Sequence, residues 1–220
     1  VAKEKYGLDV ELVTFNDYVL PNEALSKGDI DVNAFQHKPY LDQQIKDRGY
    51  KLVSVGNSFV YPIAGYSKKI KSLDELQPGS QVAIPNDPTN LGRSLLLLQQ
   101  VGLIKLKEGV GLLPTSLDII ENPKNLKLVE LEAPQLPRSL DDAQIALAVI
   151  NTTYASQIGL TPAKDGIFVE DKDSPYVNLI VTREDNKDAE NVKKFVQAYQ
   201  SDEVYEAANK VFNGGAVKGW

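Results

Sequence analysis

The residues best placed to do chemistry lie in Val82-Ala-Ile-Pro-Asn-Asp-Pro-Thr-Asn-Leu-Gly-Arg93, which reads as a short strand, a polar turn and the opening of a Leu-rich helix. A helix start offers unpaired backbone N–H groups, and with Asn and Thr side chains and an Arg in the first turns it can hold a small anion such as a carboxylate. Arg93 carries the strongest functional case, because a guanidinium fork matches a carboxylate. The plainer reading is an Arg that is solvated or paired with a nearby acid such as Asp87. Asn86, Asp87 and Asn90 suit turn and N-cap positions, where short polar side chains accept backbone N–H bonds.

His37 is the only histidine. Alone it cannot build a His-based metal site, and at a helix start it reads as a capping or hydrogen-bonding group more readily than as a general base. Phe35, Tyr40, Phe59 and Tyr61 fall near strand ends or in an extended segment, and they suit either an apolar cage for a ligand side chain or ordinary core. Asn151 follows the apolar run Ile145 to Ile150, and Asn178 sits inside an apolar strand. A buried amide must be hydrogen-bonded, and one that faces a cleft can serve a ligand. Asp141-Asp142 and Glu170-Asp171 read as solvated turns. No nucleophile elbow, phosphate loop or dinucleotide glycine pattern occurs, so no catalytic constellation, metal or cofactor is expected.

Composition narrows the classes further. The formal charge of −6 and isoelectric point near 4.9 argue against binding nucleic acid through its phosphates. No run approaches the roughly 18 apolar residues of a membrane span. Cysteine is absent, which removes disulfides, thiol catalysis and thiolate metal sites from this chain. The chain lacks methionine, and its opening residues resemble the last turns of a helix ending at Gly7, so an upstream piece carrying any targeting segment is expected.

Positioning the candidate residues requires a scaffold, and the pattern supplies one. Strands are expected at Asp9 to Phe15, Ile30 to Phe35 and Lys51 to Val55, separated by helices over Pro21 to Gly28 and His37 to Gly49. That order favours a parallel α/β layer with crossover helices. Phe59 to Ser67 is extended, and Ser72-Leu-Asp-Glu reads as a capping box closed by Glu75. A second α/β series follows: strand Gln81 to Ile84, a helix from about Leu91 to Val101, and a short helix near Ser116 to Glu121. Strand Leu126 to Leu131, helix Arg138 to Ala146, strand Ala148 to Ile150 and a helix from Thr153 to Ile158 complete it. Tyr176 to Thr182 is a continuous apolar strand of the kind buried in parallel sheets. Ala189 to Phe212 is an amphipathic helical pair broken at Ser201-Asp202, with Phe195, Tyr199, Val204, Tyr205 and Val211 as core contacts. Two series imply two lobes, lobe 1 from 1–68 and 177–220 and lobe 2 from 69–176. The crossings fall near Tyr66 to Ile70 and Ser174 to Val177, with a cleft between the lobes.

Four stretches carry a family resemblance: Ala34-Phe-Gln-His-Lys-Pro-Tyr-Leu41, Pro85-Asn-Asp-Pro-Thr-Asn-Leu-Gly-Arg93, Ala148-Val-Ile-Asn-Thr-Thr-Tyr154 and Ser174-Pro-Tyr-Val-Asn-Leu-Ile-Val181. Through them the chain resembles, from its first residues to Trp220, the methionine-binding lipoproteins of the NlpA lipoprotein family, substrate receptors of bacterial methionine ABC importers. The resemblance implies a two-lobed type II periplasmic binding protein fold, α/β in class, each lobe a mainly parallel sheet covered by helices. It implies a monomer on the periplasmic side of a bacterial membrane, anchored through a lipidated Cys upstream, with the importer's transmembrane permease as partner. By the same resemblance Arg93 would hold the carboxylate of L-methionine, or of D-methionine or a derivative. Asn178 and Asn151 would take its amino and carboxylate groups, with Asn90 beside them, and Phe59, Tyr61, His37 and Tyr40 would enclose the thioether. The rival readings are a cleft enzyme acting on a small amino acid with His37 as base, and a surface interaction protein that reuses the fold.

Overall fold

Helix ends are written locally in this chain and strand pairings are not. In the computed structural model, which describes residues 1–171 and 173–220, α1 (Ala2–Tyr6), α2 (Leu20–Lys27) and α3 (Lys38–Arg48) come first. α2 and α3 each carry proline in the first turn and stop at Gly28 and Gly49, whose φ of 85° and 68° places them in the left-handed region that glycine enters without strain. Both helices lie where the sequence predicts them. β1 (Leu52–Val60) follows.

The next elements form one unit, Pro62–Lys172. They are β2 (Ala64–Tyr66), β3 (Gln81–Pro85), α4 (Pro88–Gln100), β4 (Lys105–Leu106), β5 (Ile119–Glu121), β6 (Lys127–Leu131), α5 (Leu136–Ser139), β7 (Ile145–Ile150), α6 (Thr152–Ala155), α7 (Pro162–Asp165) and β8 (Phe168–Val169). The chain then adds β9 (Val177–Arg183), α8 (Glu190–Tyr199), α9 (Asp202–Val211) and β10 (Val217–Lys218). These complete the other unit, Val1–Tyr61 with Asp173–Trp220. No helix among the described residues is long and apolar enough to cross a membrane.

The discontinuous unit holds a three-stranded sheet in the order β10-β1-β9, with both pairings antiparallel. This differs from the parallel layer expected there, because two of the three expected strands do not form. Residues 9–15 lie outside any strand, and Leu12 is 87% exposed. An apolar alternation makes a strand only where a backbone ladder meets it. Residues 30–35 make no continuous ladder either: Asn33 bridges Val181, His37 bridges Asn178, and buried Asn33 and Gln36 interrupt the alternation with amide hydrogen bonds. β9 is buried from Asn178 to Thr182, as its apolar run predicts, but its partner β1 runs antiparallel to it. Leu25, Leu41, Leu52, Leu179 and Val181 pack together as a core cluster. The C-terminal helices break at the expected place, where Ser201 caps α9 by accepting from Val204 N. Val211, expected in the core, is instead 70% exposed at the last turn.

The continuous unit holds a five-stranded sheet in the order β6-β3-β7-β2-β8. β3 is parallel to β6 and β7, while β2 is antiparallel to β7 and β8. β2, near which the sequence places the first crossing, thus pairs wholly inside this unit. α4 lays Leu91, Leu95 and Leu98 into a core with Val82, Ile84, Leu147 and Val149, each fully buried aliphatic side chain contributing about 1.5–3 kcal/mol. Gly65 lets Phe168 cross close over β2, since a Cβ there would stand 2.3 Å from the ring. The predicted capping box forms, with Glu75 Oε2 accepting from Ser72 N at 3.0 Å.

The helix expected over Arg138 to Ala146 is displaced. Pro137 favours an earlier start, so α5 ends at Ser139, and a turn in which Asp142 Oδ1 accepts from Gln144 N leads into buried β7. Ser116 to Glu121 splits likewise, into a 3₁₀ turn capped by Thr115 and the strand β5.

Candidate functional site

In the continuous unit the site is built on the strand, turn and helix of β3 and α4. Asp87 is the N-cap: Oδ2 accepts from Asn90 N at 3.1 Å, Asn90 Nδ2 at 3.0 Å and Thr89 Oγ1 at 3.2 Å. Burial pushes the Asp87 carboxyl above its ordinary value, and the donors of Asn90 and Thr89 oppose that rise. Asn86 is exposed and gives its N–H to Leu131 O, a turn role only.

The cap orients the next residues. With Nδ2 held by Asp87, Asn90 offers Oδ1 to Asn151 Nδ2 at 3.3 Å. Asn151 ends β7 and caps α6 through its backbone carbonyl, which takes Tyr154 N and Ala155 N. Its own side-chain Oδ1 is buried and accepts no hydrogen bond from the described residues. A buried acceptor in that state costs free energy unless something donates to it.

Arg93 lies one turn further along α4 with its side chain 3% exposed. It is paired with Glu170 and not with Asp87: Nε donates to Oε2 at 2.9 Å and Nη2 to Oε1 at 2.6 Å. Glu170, read from sequence as part of a solvated turn, is only 10% exposed. It follows β8, where its N–H donates to Ile63 O at 2.9 Å. The two-bond pair fixes the plane of the guanidinium, and with it the direction of the cation.

The discontinuous unit gathers a second group. His37 caps α3, its Nδ1 accepting from Tyr40 N at 3.1 Å, which assigns the proton of the neutral ring to Nε2. The capping role weighed in the sequence is therefore the observed one. The His37 ring meets Tyr176 edge-on at 5.0 Å and Tyr40 at 6.1 Å, and its backbone bridges Asn178. Tyr40 donates its hydroxyl to Tyr18 O at 2.7 Å and stands against the rings of Tyr18 and Phe35. His37, Tyr40, Tyr176 and Asn178 are all buried.

Phe59 and Tyr61 belong to a different aromatic group of the same unit. Phe59 packs on Tyr199, Tyr205 and Trp220, and Tyr61 on Phe212 at 4.9 Å. Burial raises the Tyr61 and Tyr199 hydroxyls above the usual tyrosine range. The structure thus brings together Asn90, Arg93 and Asn151 in one unit, and His37, Tyr40 and Asn178 in the other. Sequence reasoning missed Glu170, Tyr176 and Gln36. Tyr176 lies two residues before Asn178 and had a visible signal; Glu170 is 77 positions from Arg93 and had none. Among the described residues no group of His, Asp and Glu could hold a metal ion.

The NlpA lipoprotein family model matches residues 1–220. The chain belongs to the NlpA lipoprotein family. Over its whole length this NlpA-family chain is 96% identical to the D-methionine-binding lipoprotein MetQ of Salmonella typhimurium, covering 81% of that protein. A crystal structure of the methionine-binding protein MetQ matches all of it at 94% identity and TM-score 0.98, with 89% of that chain covered. A nutrient-binding protein from Burkholderia cenocepacia, solved bound to methionine, matches at 55% identity and TM-score 0.95, with 100% and 91% of the two chains covered. The α/β fold of this NlpA lipoprotein is therefore the one those binding proteins share.

Proposed function

We propose that this chain is a methionine receptor that delivers its ligand to the transmembrane permease of an ABC importer and performs no catalysis. The observation that carries this reading is identity of 96%, along the entire chain, to a protein named for binding D-methionine. The chemistry of the two residue groups supports it. A methionine zwitterion needs a cation for its carboxylate, acceptors for its ammonium and an apolar, polarizable wall for its thioether.

Arg93, held in plane by Glu170, is the carboxylate anchor in this proposal, and Asn90 and Asn151 stand beside it. The Asn151 Oδ1 is a fitting acceptor for an ammonium N–H. Asn178 supplies the other amide, and the rings of His37 and Tyr40 supply the wall for the thioether. Phe59 and Tyr61 stay in the assignment on the family resemblance alone. As a lipoprotein the receptor would be tethered to the periplasmic side of its membrane through a lipidated Cys preceding Val1.

Calorimetry on protein unfolded and refolded to strip bound ligand tests the proposal, with L- and D-methionine titrated separately. One tight site is expected for at least one of them. Asn178→Ala and Arg93→Ala should each weaken it by about ten-fold or more, the scale of one charge-assisted hydrogen bond. Unchanged affinity in both variants would overturn the site, and a wild-type protein that binds neither enantiomer would overturn the function.

A further inference from the structure

Three carboxamides are buried together in the discontinuous unit, and one of them, Gln36, immediately precedes His37. Asn22 of α2 and Gln36 exchange hydrogen bonds, Asn22 Nδ2 to Gln36 Oε1 at 2.9 Å and Gln36 Nε2 to Asn22 Oδ1 at 2.8 Å. Asn33 closes the ring: its Nδ2 donates to Asn22 Oδ1 at 3.0 Å and to Pro21 O at 3.2 Å, and its Oδ1 accepts from Gln36 Nε2 at 3.1 Å. Apolar side chains of the same size would fill this space with no less stability, because satisfied buried amides gain little net free energy over water. What the ring adds is direction, and the segment it directs ends at His37.

That segment lies along β9 out of regular register. Asn33 stands opposite Val181 and His37 opposite Asn178, so four steps on one side match three on the other. A regular antiparallel ladder continued from Asn33 would set Gln36 opposite Asn178. The extra residue is a bulge, and removing it would turn each following side chain to the other face. Both ends of the bulge are pinned on β9: Asn33 exchanges hydrogen bonds with Val181, and Gln36 O accepts from Leu179 N at 2.8 Å. The Gln36 side chain, turned into the amide ring, is what the bulge accommodates.

We infer that Gln36, with Asn22 and Asn33, is a positioning residue for ligand binding: the amide ring holds the bulge that sets His37 opposite Asn178. The inference rests on the methionine-receptor reading for its consequence in affinity, but not for its consequence in geometry. Gln36→Met keeps the volume and deletes the amide. In refolded, ligand-free full chain it should weaken methionine binding by about ten-fold, and it should displace the NMR signals of the Asn178 side-chain amide and the His37 ring. Val192→Ala, which trims buried core under α8, serves as the comparison. It should lower the thermal midpoint yet leave affinity within about two-fold, as for independent sites, with both signals in place.

A folded Gln36→Met protein with wild-type affinity and unmoved signals overturns the inference, as does equal loss of affinity in Val192→Ala. If Gln36→Met does not fold, Asn22→Ser opens the same ring from the α2 side and is judged by the same two readings. A wild-type chain that binds no methionine defeats the receptor reading, and the signals alone then decide: displaced in Gln36→Met they uphold the inference, unmoved they end it.

Discussion

Arg93 shows how far a single residue can be read before its partner is known. Its place after a strand and polar turn, with Asn90 one turn earlier, makes it a candidate for anion binding, and the local hydrogen bonds of Asp87 and Asn90 follow from side chains three residues apart. Glu170 could not be found this way, because nothing near it in sequence signals burial. Glu170→Gln keeps size and an acceptor but takes the two-bond carboxylate partner away from the buried Arg93 cation, a loss on the order of 3 kcal/mol. The midpoint of urea unfolding should fall accordingly. Joining Arg93→Met to Glu170→Leu removes both charges and should restore the midpoint to wild type or above while abolishing methionine binding. A double variant as weak as Glu170→Gln would mean that the side chains matter here for shape and not for mutual charge compensation.

Elements were legible in proportion to how local their causes are. α2 and α3 are announced by proline in the first turn and by Gly28 and Gly49, and the break between α8 and α9 by Ser201, all acting within a few residues, whereas α4 starts at Pro88, ahead of the Leu91 start expected from its apolar run. The strands expected at 9–15 and 30–35 failed because a strand exists only with a partner, and in the second case buried amides break the ladder. The cap of α4 also carries a pH dependence. Burial raises the Asp87 carboxyl above its ordinary 3.8 in the folded chain. An acid with a raised folded value holds its proton more tightly when folded, so its contribution to stability is full below about 3.8. It then declines as pH rises through the window up to the folded value. Asp87→Asn keeps an acceptor for Asn90 N and cannot ionise. Its stability relative to wild type should therefore improve as pH is raised above about 3.8 and level off once pH exceeds the folded value. Urea midpoints measured for both proteins across this range decide it, and a difference that shrinks with rising pH would show that the hydrogen bonds of Asn90 and Thr89 outweigh burial.

At the scale of the whole molecule the chain order sets what can form first. The unit Pro62–Lys172 is continuous, so its β3, β6 and β7 pair within one stretch of chain. The other unit is split, and its central pairing joins Leu52 to Arg183 and Val60 to Val177 across the whole inserted unit. Bringing distant strands together costs chain entropy before any contact repays it, and that cost rises with the length of the intervening segment until the segment is itself compact. Folding of the continuous unit shortens the effective loop that β1 and β9 must close. Refolding followed by pulsed hydrogen exchange should thus protect backbone amides of β3 and β7 before those of β1 and β9. Destabilising the continuous unit with Leu98→Ala, a loss of about 2–5 kcal/mol at a side chain with no solvent exposure, should delay protection of β9 as well. Were β9 protected first, or were it unaffected by Leu98→Ala, the two units would be folding independently, and the split of the chain would carry no kinetic consequence.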